Sequence, residues 1–184
     1  WGGEQIDNIS FPLIMAYQLA ESGVEFSEVD YDYINVKRSA DYVARNGPAT
    51  AQERWEEEAG YSPSSIAAEI AGLVSAADLA IDEGEDSDAL PWLALADEWT
   101  ERVEEWCATE TGTDLHTHTP YYVRVTRDGN PEAGHLRTLA NAGPTLDERE
   151  IIDGGFLELT RLGIKPHDDE IIENSLTEVD ETIR

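Results

Sequence analysis

Residues 52–61 read Gln-Glu-Arg-Trp-Glu-Glu-Glu-Ala-Gly-Tyr, so the consecutive acids Glu56, Glu57 and Glu58 follow directly on Trp55. A carboxyl packed against an indole, with other carboxylates close by, is disfavoured in its charged form, and its pKa moves toward that of a general acid. Glycosidic bond cleavage needs such a group on the leaving oxygen and a second carboxylate elsewhere. The triplet alone means little, because at 40 acids in 184 residues about two such triplets arise by chance. Its context means more. It lies in a loop of roughly 15 residues, 47–61, bounded by Gly47-Pro48 and Gly60, and connections of that length are commonly functional. The residues by themselves leave two readings open, a general acid and a solvated acidic loop.

Other chemical candidates are weaker. His116 and His118, with Asp114 nearby, could supply two metal ligands, although a two-residue spacing in a polar stretch is commonly just a loop. No Gly-rich phosphate loop is present, and no Ser sits in a nucleophile elbow. Trp92, Trp99 and Trp106 recur every seven residues, which suits packing along one helix face better than a sugar platform.

The elements that must position the acidic segment are mostly helical. A first helix uses Phe11, Leu13, Ile14, Tyr17 and Leu19 and stops at Gly23. A second covers residues 30–45, with Ile34, Tyr42 and Val43 on its face, and ends at Asn46-Gly47-Pro48. After the acidic loop, Ser62 offers an N-cap and Pro63 a first helical position. Residues 65–81 then form a buried, alanine-rich helix through Ile66, Ile70, Leu73, Val74, Ala77 and Ile81. Residues 82–86 break it, and residues 90–109 form the tryptophan-bearing helix. Residues 121–126 alternate with period two, residues 127–130 make a turn, and residues 135–140 return as the second strand of a hairpin. Helical patterning resumes over 150–162 and again over 169–183. About six helices with no central sheet give an all-α class with a minor β insert.

Composition narrows the function further. Twelve basic against 40 acidic residues give a formal net charge of -28, which repels phosphate and all but excludes nucleic-acid and anionic-membrane binding. With 40% hydrophobic residues, five Trp and seven Tyr, the chain folds rather than forming an acidic tail. Acid spread along every segment, with Arg preferred to Lys, suggests adaptation to high salt. The lone Cys107 rules out an internal disulfide, and no apolar run approaches membrane-spanning length. Trp1 stands where an initiator Met is expected, which suggests a piece of a longer protein, so the lack of a leader says nothing of secretion.

Several stretches, in order along the chain, resemble glycoside hydrolase family 15, the glucoamylases and glucodextranases, in its prokaryotic branch. They are residues 1–7 (Trp-Gly-Gly-Glu-Gln-Ile-Asp) with Phe11-Pro12, then residues 42–48, 52–65, 66–80, 123–129 and 156–164. The Glu-Arg-Trp-Glu-Glu run leading into Gly-Tyr-Ser-Pro-Ser is the specific one.

The resemblance implies an (α/α)6 barrel, of which this chain supplies about half, truncated at both ends. It implies an inverting, exo-acting α-glucosidase that removes β-glucose from non-reducing ends of α-1,4-linked glucans, with no cofactor; α-1,6 bonds stay open as an alternative, because glucodextranase and trehalase-like relatives share the motif. In that frame Glu56 is the general acid, Glu57 contacts sugar hydroxyls, and Trp1 and Trp55 line the subsites. Glu58 has no assigned role. The general base, another Glu, and the early Trp-Arg-Asp motif of the family are not found in this chain. The rival is a non-catalytic helical module that binds carbohydrate or is purely structural.

The charge balance generates a prediction. In the intact protein carrying this chain, the melting temperature should rise between low and molar KCl as screening relieves self-repulsion. A melting temperature that stays flat or falls contradicts it.

Overall fold

The computed structural model describes residues 3–24 and 32–182. Its helices are α1 (Asp7–Glu21), α2 (Tyr33–Asn46), α3 (Pro63–Asp82), α4 (Asp86–Cys107), α5 (Leu157–Arg161) and α6 (Glu170–Thr182). Short strands β1 (Ala108–Thr109), β2 (Tyr121–Tyr122), β3 (Leu136–Thr138) and β4 (Thr145–Asp147) form two antiparallel pairs, β1 with β2 and β3 with β4.

The hub is α3, against which α1, α2, α4 and α5 all pack. Pro63 opens it, where a missing N–H leaves nothing unsatisfied. Ser62 holds the N-cap position, but its hydroxyl makes no capping bond; its carbonyl accepts from the Ile66 amide at 2.9 Å. Small residues let neighbours approach closely, since a Cβ on Gly72 would lie 3.1 Å from the Ser10 carbonyl oxygen of α1. Ile66, Ile70, Leu73 and Ala77 are buried as their spacing predicts, whereas Val74 and Ile81 are 39% and 47% exposed. By length and hydropathy α3 is also long and apolar enough to cross a membrane, contrary to the expectation that no such run exists. Its window is 78% buried within the fold, which is how a core helix passes the same test.

The other helices follow their apolar spacing with local shifts. On α4 the side chains of Trp92, Trp99 and Trp106 are all buried along one face, as the seven-residue repeat predicts. The buried face of α2 is Val36, Ala40 and Val43, while Ile34 is exposed. Asp32 caps α2 by accepting from the Asn35 amide, and the expected start at residue 30 lies outside the described residues.

Two expectations are overturned. Residues 121–126 do not pair with residues 135–140. Tyr121 and Tyr122 pair with Thr109 and Ala108, and Thr126 exchanges both backbone hydrogen bonds with Tyr61, at 2.8 and 2.9 Å. With those ladder groups occupied, the chain after the 127–130 turn pairs β3 with β4, opposing Arg137 to Leu146. Nor is 150–162 one helix. Ile151 accepts from the Arg124 amide, Asp153 Oδ1 accepts from the Gly155 amide at 2.8 Å, and only Leu157–Arg161 becomes α-helical.

One buried carboxyl is conspicuous within α3. Both carboxyl oxygens of Glu69 are buried without a hydrogen-bond partner among the described residues. Burial pushes this carboxyl well above the usual carboxylate range, and the nearby Asp7 charge acts in the same direction. The folded state therefore keeps a proton that the unfolded chain releases, so this stability is complete below the ordinary value of 4.5 and is lost as pH rises toward the folded value. Glu69→Gln should raise stability at neutral and alkaline pH by roughly 1–3 kcal/mol and change little near pH 4.5. Melting curves across that range check this, and an equal effect at all pH values contradicts it.

Candidate active site

The acidic loop is tied down at its base before it displays anything. Thr50 and Gly60 exchange two backbone hydrogen bonds of 2.9 Å, and Tyr61 bonds Thr126 as above. Gly60 has φ 144°, and a Cβ there would lie 2.0 Å from the Thr126 carbonyl oxygen, so only glycine allows this approach. The segment before α1 closes the other side: the Gln52 amide donates to the Glu4 carbonyl at 3.0 Å, and the Gln52 side chain fills the space a Cβ on Gly3 would need.

Above this base the chain makes one tight turn. The Glu56 amide donates to the Glu53 carbonyl at 2.7 Å, and the Glu53 amide donates to the Glu58 carbonyl at 2.9 Å. Glu56 takes φ 60°, the left-handed region, which costs a non-glycine residue on the order of 1 kcal/mol. Such strain persists only where surroundings over-determine it. Here the Glu53 carboxylate is folded inside the turn, fully buried, and accepts from the Trp55 amide at 2.8 Å and the Glu57 amide at 3.4 Å. Those amides flank Glu56 on both sides. Burial raises the pKa of Glu53, opposed by these two bonds and by the charge of Arg124.

The remaining acids fall into two kinds. Glu57 Oε2 lies 3.2 Å from Arg124 Nη1, and Glu58 pairs with Arg137, which also donates to the Ala59 carbonyl at 3.0 Å. Glu56 is exposed, and its carboxylate makes no hydrogen bond or ion pair among the described residues. Trp55 beside it is 56% exposed, with its indole N–H donating to Asp153 Oδ2 at 2.5 Å. Asp153 is itself set by the Gly155 amide, so the ring is aimed from a segment far along the chain.

Of the residues expected in the site, Trp55, Glu56 and Glu57 are brought together on one turn, and Trp1 lies outside the described residues. The carboxyl desolvated within this segment is Glu53 rather than the one next to the indole. Sequence reasoning gives no role to Glu53, Arg124 or Arg137, and it offers Asp153 only as a stand-in base, not as the partner of the Trp55 indole that it is in the structure. For Arg124 a signal exists: it stands between Val123 and Val125 in a chain with 12 basic residues.

His116 and His118 have a different employment. Glu178 of α6 accepts from the His118 amide at 2.6 Å and contacts His116 Nδ1 at 2.8 Å and His118 Nδ1 at 2.9 Å. This clasp fastens α6 to the 112–120 segment, and no group of metal-ligating side chains is assembled among the described residues.

The whole of residues 1–184 matches the family described as Glycosyl hydrolases family 15. A glucoamylase of Clostridium sp. (strain G0005) is 39% identical over 184 residues, which are 100% of this chain and 25% of that protein. The crystal structure of a bacterial glucoamylase complexed with acarbose superposes with a TM-score of 0.89 at 38% identity, over 99% of this chain and 26% of its own. The chain thus spans about a quarter of the length of these relatives, and its mostly helical fold matches a fragment of the glucoamylase (α/α)6 barrel. A match over every residue, a close relative in sequence and a close superposition agree that this chain belongs to glycosyl hydrolases family 15.

Proposed function

We propose that the chain is part of the catalytic domain of an inverting, exo-acting α-glucosidase of the glucoamylase type. It removes β-glucose from non-reducing ends of α-1,4-linked glucans, and Glu56 is its general acid. One observation carries this reading. Of the acids on the turn, Glu53 is bonded inward and Glu57 and Glu58 have arginine partners, which leaves Glu56 as the carboxyl offered outward next to an exposed indole.

In this mechanism Glu56 donates its proton to the glycosidic oxygen as the bond breaks. A second carboxylate activates water on the opposite face of the sugar, at the roughly 6.5–9.5 Å separation that leaves room for that water. Trp55, held by Asp153, provides a flat apolar face for the ring at the scissile bond. With Glu57 Oε2 turned to Arg124, Oε1 is the oxygen that accepts from a sugar hydroxyl. Trp1 is assigned to the same subsite by the family resemblance alone. The related glucoamylase complexed with acarbose supports an oligosaccharide as the ligand.

In the intact enzyme, Glu56→Gln should keep glucan binding and lower turnover by roughly 10²- to 10⁴-fold, as loss of a general acid does. Glu58→Gln should do much less, because the amide oxygen still accepts from Arg137. Turnover on maltooligosaccharides, with glucan affinity measured separately, checks both. Greater damage from the Glu58 change would move the acid to another position of the triplet. Glucan binding without glucose release by the unmodified enzyme would favour the non-catalytic module.

A further inference from the structure

The residue that closes the acidic turn comes from outside the helical scaffold. Arg137 sits on β3, in the 127–150 insert, and is 4% exposed. Its guanidinium reaches three points: the Glu58 carboxylate, the Ala59 carbonyl at 3.0 Å, and Glu148 Oε2, 3.6 Å from Nε. Glu148 is fully buried and accepts from the Arg127 amide at 3.1 Å, while its own amide donates to the His135 carbonyl at 2.9 Å. The anchor is therefore fixed on both flanks of the insert.

A buried ion pair is seldom worth more than an apolar replacement of the same shape, and its better-attested use is to fix one arrangement over others. The arrangement fixed here matters for Glu56. Glu58 closes the turn by accepting the Glu53 amide, and Glu53 in turn clasps the amides on either side of Glu56. Releasing Glu58 opens the turn and frees Glu56 to leave its left-handed conformation for an unstrained one.

We propose that Arg137 is a positioning residue for the general acid: it holds Glu58 and Ala59 so that the Glu53–Glu58 turn stays closed. The proposal rests on the reading of Glu56 as general acid. The charged groups at this turn are Glu53, Arg54 and Glu57 of the loop, Arg124 from the extended stretch after β2, Arg137 and Glu148 from the insert, and Asp153 behind Trp55. Arg124 lies on the Glu57 side, so Arg137 is the cation assigned to Glu58.

The test compares Arg137→Ala, Arg137→Lys and Glu56→Gln in the intact enzyme on maltooligosaccharides. Arg137→Ala should lower kcat roughly tenfold or more with a much smaller change in KM. Arg137→Lys, which keeps the contact with Glu58 but not the fork onto Ala59, should give a kcat between that of Arg137→Ala and wild type, again with KM near wild type; if the alanine variant does not fold, the lysine variant against wild type carries the test. Wild-type kcat in Arg137→Ala, no recovery in Arg137→Lys, or a loss confined to KM in either variant overturns the role of Arg137. Wild-type turnover in Glu56→Gln overturns the general-acid reading instead.

Discussion

Like charges on adjacent residues repel, and the turn that carries Glu53, Glu56, Glu57 and Glu58 exists only because that repulsion is dealt with residue by residue. Glu53 is taken out of water and bonded to two amides, Glu57 faces Arg124, and Glu58 faces Arg137. In a chain with 12 basic against 40 acidic residues, two nearly buried arginines at one loop are a large share of the available positive charge. Their placement turns an acidic stretch into a shaped one. What is left over is a single outward carboxyl on strained backbone, next to an aromatic ring whose orientation is set from Asp153.

The scaffold serves this loop through α3. Tyr61 and Ser62 lead directly from the loop into the helix, so the loop's end is fixed by a rod packed on nearly all sides. The extended stretch after β2 runs past the same point, bonded to Cys107 at Val123 and to Tyr61 at Thr126, and it carries Arg124 to Glu57 on the way. The β3–β4 insert then carries Arg137 to Glu58. Two partners far apart in sequence thus reach neighbouring acids because the stretch after β2 is bonded to Tyr61 at the loop's end and the insert packs on α4 and β1.

The helices were legible in the sequence because each depends on a local apolar period that packing rewards; the tryptophan repeat on α4 is the clearest case. The strand pairing was not, because which edge residues 121–126 use depends on Tyr61, some sixty residues earlier, having already taken Thr126. The 150–162 segment misled for the same reason: Ile152, Phe156 and Leu159 have helical spacing, yet the Ile151 carbonyl is needed by Arg124. At the site, the acids were visible as residue types and the family resemblance singled out Glu56. Nothing local showed that Glu53 turns inward or that arginines at 124 and 137 sort its neighbours. Those are non-local electrostatic facts, invisible to period and spacing.

The proposed chemistry requires Glu56 to be the carboxyl offered to the glycosidic bond while its neighbours remain engaged. A crystal structure of the intact enzyme with a non-hydrolysable oligosaccharide analogue spanning the scissile position tests this most directly. A Glu56 oxygen is expected within about 2.6–3.2 Å of the bridging atom, with Glu57 still paired to Arg124 and Glu58 to Arg137. Glu53 or Glu58 at the bridging atom instead, released from its present partners, would contradict it.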